Sequence, residues 1–104
     1  MKPEALVQRF EQLTQKMIEI MKAKNNDYSG GRDALKNFRR HGPYGIVVRM
    51  DDKLSRLDSF YNPEEKVELQ VKAETADDTA MDLANYALLL IVTAEDERAK
   101  VENR

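Results

Sequence analysis

The sequence predicts an all-α protein of about four helical segments, and three observations point there. Apolar residues recur at three- and four-residue spacing through long stretches of the chain. Clusters of Asn, Gly and Pro punctuate those stretches. The stretch Glu74 to Ala94 carries Glu74, Asp77, Asp78 and Asp82 in its first half and turns almost wholly apolar in its second.

Length and composition set the limits. The 104 residues suit one domain, 35% of them are charged, and the 41% that are hydrophobic are periodic rather than scattered. This composition fits amphipathic helices with solvated outer faces. The formal net charge of −2 creates no field that would gather nucleic acid or an anionic membrane. Basic residues nevertheless crowd the middle third, from Arg32 to Arg56. There is no cysteine, which rules out disulfides and thiolate metal sites. No signal-peptide pattern opens the chain, and the apolar run near Ala87 to Val92 falls far short of the ~20 residues that span a bilayer. The expectation is a soluble, cytoplasmic protein.

The first helix is expected over Pro3 to Lys24, where Leu6, Phe10, Leu13, Met17 and Ile20 form one stripe. Asn25 to Gly31 should end it, because Asn and Gly accept the backbone of turns. A short helix over Ala34 to Arg40 should stop at His41-Gly42-Pro43, where Gly42 supplies a reversed backbone. From Tyr44 to Tyr61, Ile46, Met50, Leu54, Leu57 and Tyr61 make an apolar stripe, and Arg49, Asp52, Lys53 and Arg56 make a charged one. Asn62-Pro63-Glu64-Glu65 reads as a turn able to cap a further helix. Lys66 to Lys72 instead alternates with a period of two, so that segment stays open between helix and strand. The last helix takes Glu74 to Ala94, and the charged tail from Glu95 should fray, most of all over 97–104.

That last helix makes two demands. Glu74, Asp78 and Asp82 repeat every four residues, so their carboxylates lie about 6 Å apart along one face. Like charges so placed repel, and either basic side chains from another helix or a divalent cation must offset them. Beyond them Ala87 to Ala94 has no polar face and needs protein on all sides, more than one small domain supplies.

A hard cation such as Mg²⁺ takes one or two carboxylates together with water and substrate phosphates. Asp78 and Asp82 can both face such an ion, with Glu74 a turn earlier, and Asp52 can join if its helix packs antiparallel. Arg49, Lys53 and Arg56 share the Asp52 face and suit phosphate oxygens. The plain alternative is that the acids favour a helix dipole and make ordinary ion pairs.

The chain resembles the MazG-like all-α nucleoside triphosphate pyrophosphohydrolases, and within them a small phage-associated branch linked with nucleotide modification. The marks are Asn26-Asp27-Tyr28-Ser29-Gly30, the run Gly45 to Leu57 containing Arg49-Met50-Asp51-Asp52-Lys53-Leu54-Ser55-Arg56, and the run Glu74 to Ala87 containing Asp77-Asp78-Thr79-Ala80-Met81-Asp82-Leu83-Ala84-Asn85-Tyr86. The resemblance implies an antiparallel helical bundle, assembly as a dimer or tetramer, and Mg²⁺-dependent cleavage of a nucleoside triphosphate to monophosphate and pyrophosphate. It implies metal ligands at Glu74, Asp78 and Asp82, catalytic roles for Asp52 and Glu74, and substrate contacts from Asp27, Tyr28, Arg49, Lys53, Arg56, Asn85 and Tyr86. Where the wider superfamily carries E-E-x-x-E, this chain has Asp51-Asp52-Lys53-Leu54-Ser55, so Ser55 replaces an acid and Lys53 adds a positive charge. That departure keeps open a protein that binds a nucleotide without cleaving it. A purely structural helical oligomer is the third reading.

Overall fold

The computed structural model describes residues 1–29, 35–64 and 75–102, although not the side chains of 25–29 and 37. Every regular element among them is helical: α1 (Pro3–Ser29), α2 (Lys36–Arg39), α3 (Gly42–Tyr61) and α4 (Ala76–Glu102). No helix among the described residues is long and apolar enough to cross a membrane. The chain divides into two compact units, Met1–Ala34 and Leu35–Arg104.

The first unit is α1. Its helix runs through Asn25, Asn26, Asp27 and Tyr28 to Ser29, so the expected loop there is a helical final turn. Asn, Asp and Tyr cost a helix at most ~0.7 kcal/mol each relative to Ala, too little to stop one already propagating. Met17 is buried, whereas Leu6 and Phe10 from the same stripe are 48% and 62% exposed.

The second unit is built on α3 and α4. A methyl group at Gly42 would lie 3.1 Å from Glu97 Oε1, and further along α3 Lys53 Nζ lies 3.1 Å from Asp82 Oδ2. The residue numbers rise on one helix as they fall on the other, so α3 and α4 are antiparallel. The short α2 leads into α3 through Gly42, whose φ of +66° is the only positive one among the described residues. Glycine bears that backbone without the Cβ strain other residues meet. Pro43 then occupies the first turn, where its missing N–H costs nothing. At the other end the Asn62 backbone N–H donates to Asp58 O at 2.8 Å, and Asn62 Oδ1 accepts from Glu64 N–H at 3.0 Å. Asn62 thus closes α3 and turns the chain, while the possible helix or strand over Lys66 to Lys72 lies outside the described residues.

The packed face of α4 differs from the expected one. Its buried residues are Thr79, Asn85 and Thr93, all polar, while Leu88, Ile91 and Val92 are 52%, 54% and 46% exposed. Among the described residues of the Leu35–Arg104 unit, α3 packs on the polar side of α4 and leaves these apolar side chains about half exposed. Ile46 of α3, 1% exposed, is the buried hydrophobic side chain of this unit among the described residues. Past Glu95, α4 continues to Glu102. Arg39 Nε donates to Asp96 Oδ2 at 3.0 Å, and Lys100 Nζ lies 3.5 Å from the same oxygen one turn on.

Candidate functional site

Of the residues that the sequence nominates, the α3–α4 pair brings Lys53 and Asp82 into contact. Their side chains are 19% and 26% exposed, so the pair lies at the edge of the packed face. The four-carbon stem of lysine lets Lys53 pack along the helix interface while its ammonium reaches across. Of the two ways to offset the α4 carboxylates, a basic side chain from a neighbouring helix is the one seen at Asp82.

Asp78 serves a local purpose. Thr75 Oγ1 accepts from the Asp78 backbone N–H at 3.1 Å, and Asp78 Oδ2 accepts from the Thr75 backbone N–H at 3.4 Å. This reciprocal pair is a capping box, with aspartate in the place usually held by Glu or Gln, and it satisfies donors that the first helical turn leaves open. Thr79 Oγ1 adds a bond to Thr75 O at 3.1 Å. The Thr-x-x-Asp spacing of residues 75 to 78 was the available signal for this cap.

Asn85 is the residue whose surroundings demand most explanation. It is 7% exposed, and its Nδ2 has no hydrogen-bond partner among the described residues. A buried amide left unpaired costs about 1–3 kcal/mol. Tyr86 beside it is half-buried. The Thr93 hydroxyl, fully buried two turns further on, likewise lacks a partner among the described residues.

On α3, Arg49 and Asp52 are exposed and Arg56 is half-buried, with its Nε shielded from solvent. Arg49, Lys53 and Arg56 follow one another at spacings of four and three, so they share a side of the helix. Glu74 lies outside the described residues, as do the side chains of Asp27 and Tyr28, whose backbone belongs to the last turn of α1 in the first unit. Among the described residues no three histidine or carboxylate side chains come together as a metal-binding group. Asp78 and Asp82, one turn apart on α4, each have a present partner.

The second electrostatic feature joins α2 to α4. The Arg39 guanidinium bonded to Asp96, with the charge of Lys100 nearby, holds the Asp96 carboxyl below its ordinary pKa. Nothing in the sequence pattern pairs Arg39 with Asp96, because they are 57 residues apart. No known family model, curated protein or solved structure matches the chain.

Proposed function

We propose that the polar side of the α3–α4 pair binds the phosphates of a nucleoside triphosphate with Mg²⁺, and that the protein cleaves this substrate to monophosphate and pyrophosphate. The observation that carries the reading is the buried Asn85 amide without a partner among the described residues, one turn along α4 from the Lys53–Asp82 contact. Buried donors are almost always satisfied, and one beside a cluster of charges is accounted for by a ligand's acceptor.

Arg49, Lys53 and Arg56 would take the phosphate oxygens, for which guanidinium and ammonium groups are suited. Asn85 and Tyr86 would meet sugar or base edges. Glu74, Asp78 and Asp82 would hold Mg²⁺, with Asp52 adding a ligand or orienting water. The oxygen donors at Asp78 and Asp82 fit a hard cation that takes one or two carboxylates. When bound, the ion would neutralise phosphate charge and polarise the phosphoryl group. Lys53 would leave Asp82 and turn its ammonium to the phosphates. The same reading takes the protein as an antiparallel helical bundle assembled as a dimer or tetramer.

A second reading, binding without cleavage, is favoured by the Lys53–Asp82 contact itself. An ammonium already neutralises the carboxylate that a cation would need, and Ser55 stands where a further acid would help.

The experiment is a thermal-shift panel of ribo- and deoxyribonucleotides with and without Mg²⁺, followed by product analysis. Ligand at 100 times its dissociation constant adds about 2.7 kcal/mol to stability. A Mg²⁺-dependent shift with pyrophosphate released supports the enzyme. A shift with the nucleotide recovered intact supports the binding protein, and silence across the panel leaves the structural oligomer.

A further inference from the structure

Of the two residues in the cross-helix contact, Lys53 is the one whose chemistry opposes a metal ion. Its ammonium lies 3.1 Å from Asp82 Oδ2, and α3 and α4 hold both ends of the contact within one compact unit. The two side chains are part-shielded, so salt screens this pair less than it screens a pair on open surface. The positive charge that a cation would bring to Asp82 is already in place.

Asp82 cannot serve both charges at once. Mg²⁺ takes its oxygen ligands at about 2.0–2.1 Å and gives up its waters reluctantly. An ammonium kept on the same carboxylate would stand close to a double positive charge, and their repulsion grows as the effective dielectric falls between packed helices. Asp78, one turn back, is committed in part, because its Oδ2 accepts from the Thr75 backbone N–H. No third carboxylate or histidine joins these two among the described residues. An ion arriving alone therefore meets one neutralised ligand and one engaged in a helix cap. Lysine is nevertheless suited to letting go, since its stem is flexible and its ammonium bonds a phosphate oxygen as well as a carboxylate.

Resting on the phosphate-binding reading above, we propose that Lys53 guards Asp82. It keeps divalent cations off this carboxylate in the ligand-free protein, and it yields to a polyphosphate, which draws the ammonium away and brings oxygens of its own. Cation and polyphosphate then strengthen each other's binding by the same factor, because coupling between two ligands is reciprocal. The site selects the metal–polyphosphate pair over either part alone. Substituting Lys53 should therefore open the carboxylates to a bare ion, an effect opposite in sign to the loss of a phosphate contact.

Mn²⁺, whose free ion is counted by its paramagnetic resonance signal, tests the guard without turnover. The native chain should bind Mn²⁺ weakly, and Lys53→Gln should bind it about tenfold more tightly, a factor ordinary for coupled sites. Lys53→Met, which keeps the stem and removes the charge, should behave alike. Adding Asp82→Asn to Lys53→Gln should abolish the gain. Inorganic tripolyphosphate, titrated calorimetrically into the native chain, should bind about tenfold more tightly with Mg²⁺ than without it, and the enhancement should shrink in Lys53→Gln. Equal Mn²⁺ affinity in the native chain and both Lys53 variants, or a gain that survives Asp82→Asn, would overturn the guard even if nucleotides bind. A native chain that takes no tripolyphosphate under either condition would remove the phosphate-binding reading and the coupling with it, whatever the Mn²⁺ titrations show.

Discussion

Lys53 and Asp82 meet at 3.1 Å across two antiparallel helices, each at the edge of the packed face with about a fifth to a quarter of its side chain in solvent. This contact makes one carboxylate of a repulsive series stable without any bound ion. It also sets a condition on the proposed site, since a cation taking Asp82 would first have to release Lys53.

Asp82→Asn keeps the shape of the side chain and removes its charge. A part-exposed ion pair contributes about 1 kcal/mol or less, so the melting temperature should fall by only a few degrees. Any Mg²⁺-dependent nucleotide shift and any turnover should disappear. Activity that persists in this variant would remove Asp82 from the proposed site.

Asn85→Leu replaces the buried amide, which has no partner among the described residues, with an apolar group of the same branching. Removing an unsatisfied donor should raise stability by about 1 kcal/mol or more. The nucleotide-induced shift should meanwhile shrink or vanish. Paired melts with and without nucleotide separate the effects, and a strongly lowered melting temperature would mean that Asn85 is satisfied in the native protein.

Thr75→Ala removes the helix cap but none of the acids. The loss should be about 1 kcal/mol, within the range for N-cap threonines. Nucleotide binding should be retained, because the Asp78 carboxylate remains. Circular dichroism melts with a ligand titration decide this, and loss of binding together with the cap would tie Asp78 orientation to Thr75.

Asp96 predicts an acid-side dependence. Its folded pKa lies below the ordinary 3.8 because Arg39 bonds the ionised form. The contribution is therefore present above the unfolded pKa and is lost as pH falls through the folded one. Asp96→Asn should be less stable than the parent near neutrality, and the difference should close as the medium is acidified below the usual carboxylate range. An unchanged gap at low pH would assign the stabilisation to something other than this charge pair.

The helical class and most of the element order were legible because three- and four-residue apolar spacing is a direct record of helix geometry. Gly42-Pro43 marked the break before α3 for the same local reason. The end of α1 was not legible: Asn25 to Ser29 have turn-forming side chains, yet each opposes a propagating helix only weakly. The orientation of α4 was also hidden. Sequence alone asks for protein on all sides of its apolar run and does not say which side meets α3; that side takes the threonines and Asn85. The sequence places Lys53 on a charged stripe and asks for basic side chains or a cation opposite the α4 acids, but it does not single out Lys53 as the partner of Asp82, because composition does not reveal how far a lysine stem packs. Glu74, the first acid of the nominated site, lies outside the described residues, and the Arg39–Asp96 pair depends on tertiary approach that no local pattern encodes.

The antiparallel arrangement of α3 and α4 orders its contacts by loop length. Lys53 and Asp82 are separated by about half as many residues as Arg39 and Asp96. Closing the shorter loop costs less chain entropy, so association should begin near the Lys53–Asp82 end and zip toward α2. Substitutions at Arg39 or Asp96 should then accelerate unfolding while leaving the folding rate almost unchanged, whereas those at Lys53 or Asp82 should slow folding itself. The residues assigned to ligand chemistry would thereby also govern how quickly the protein acquires its shape.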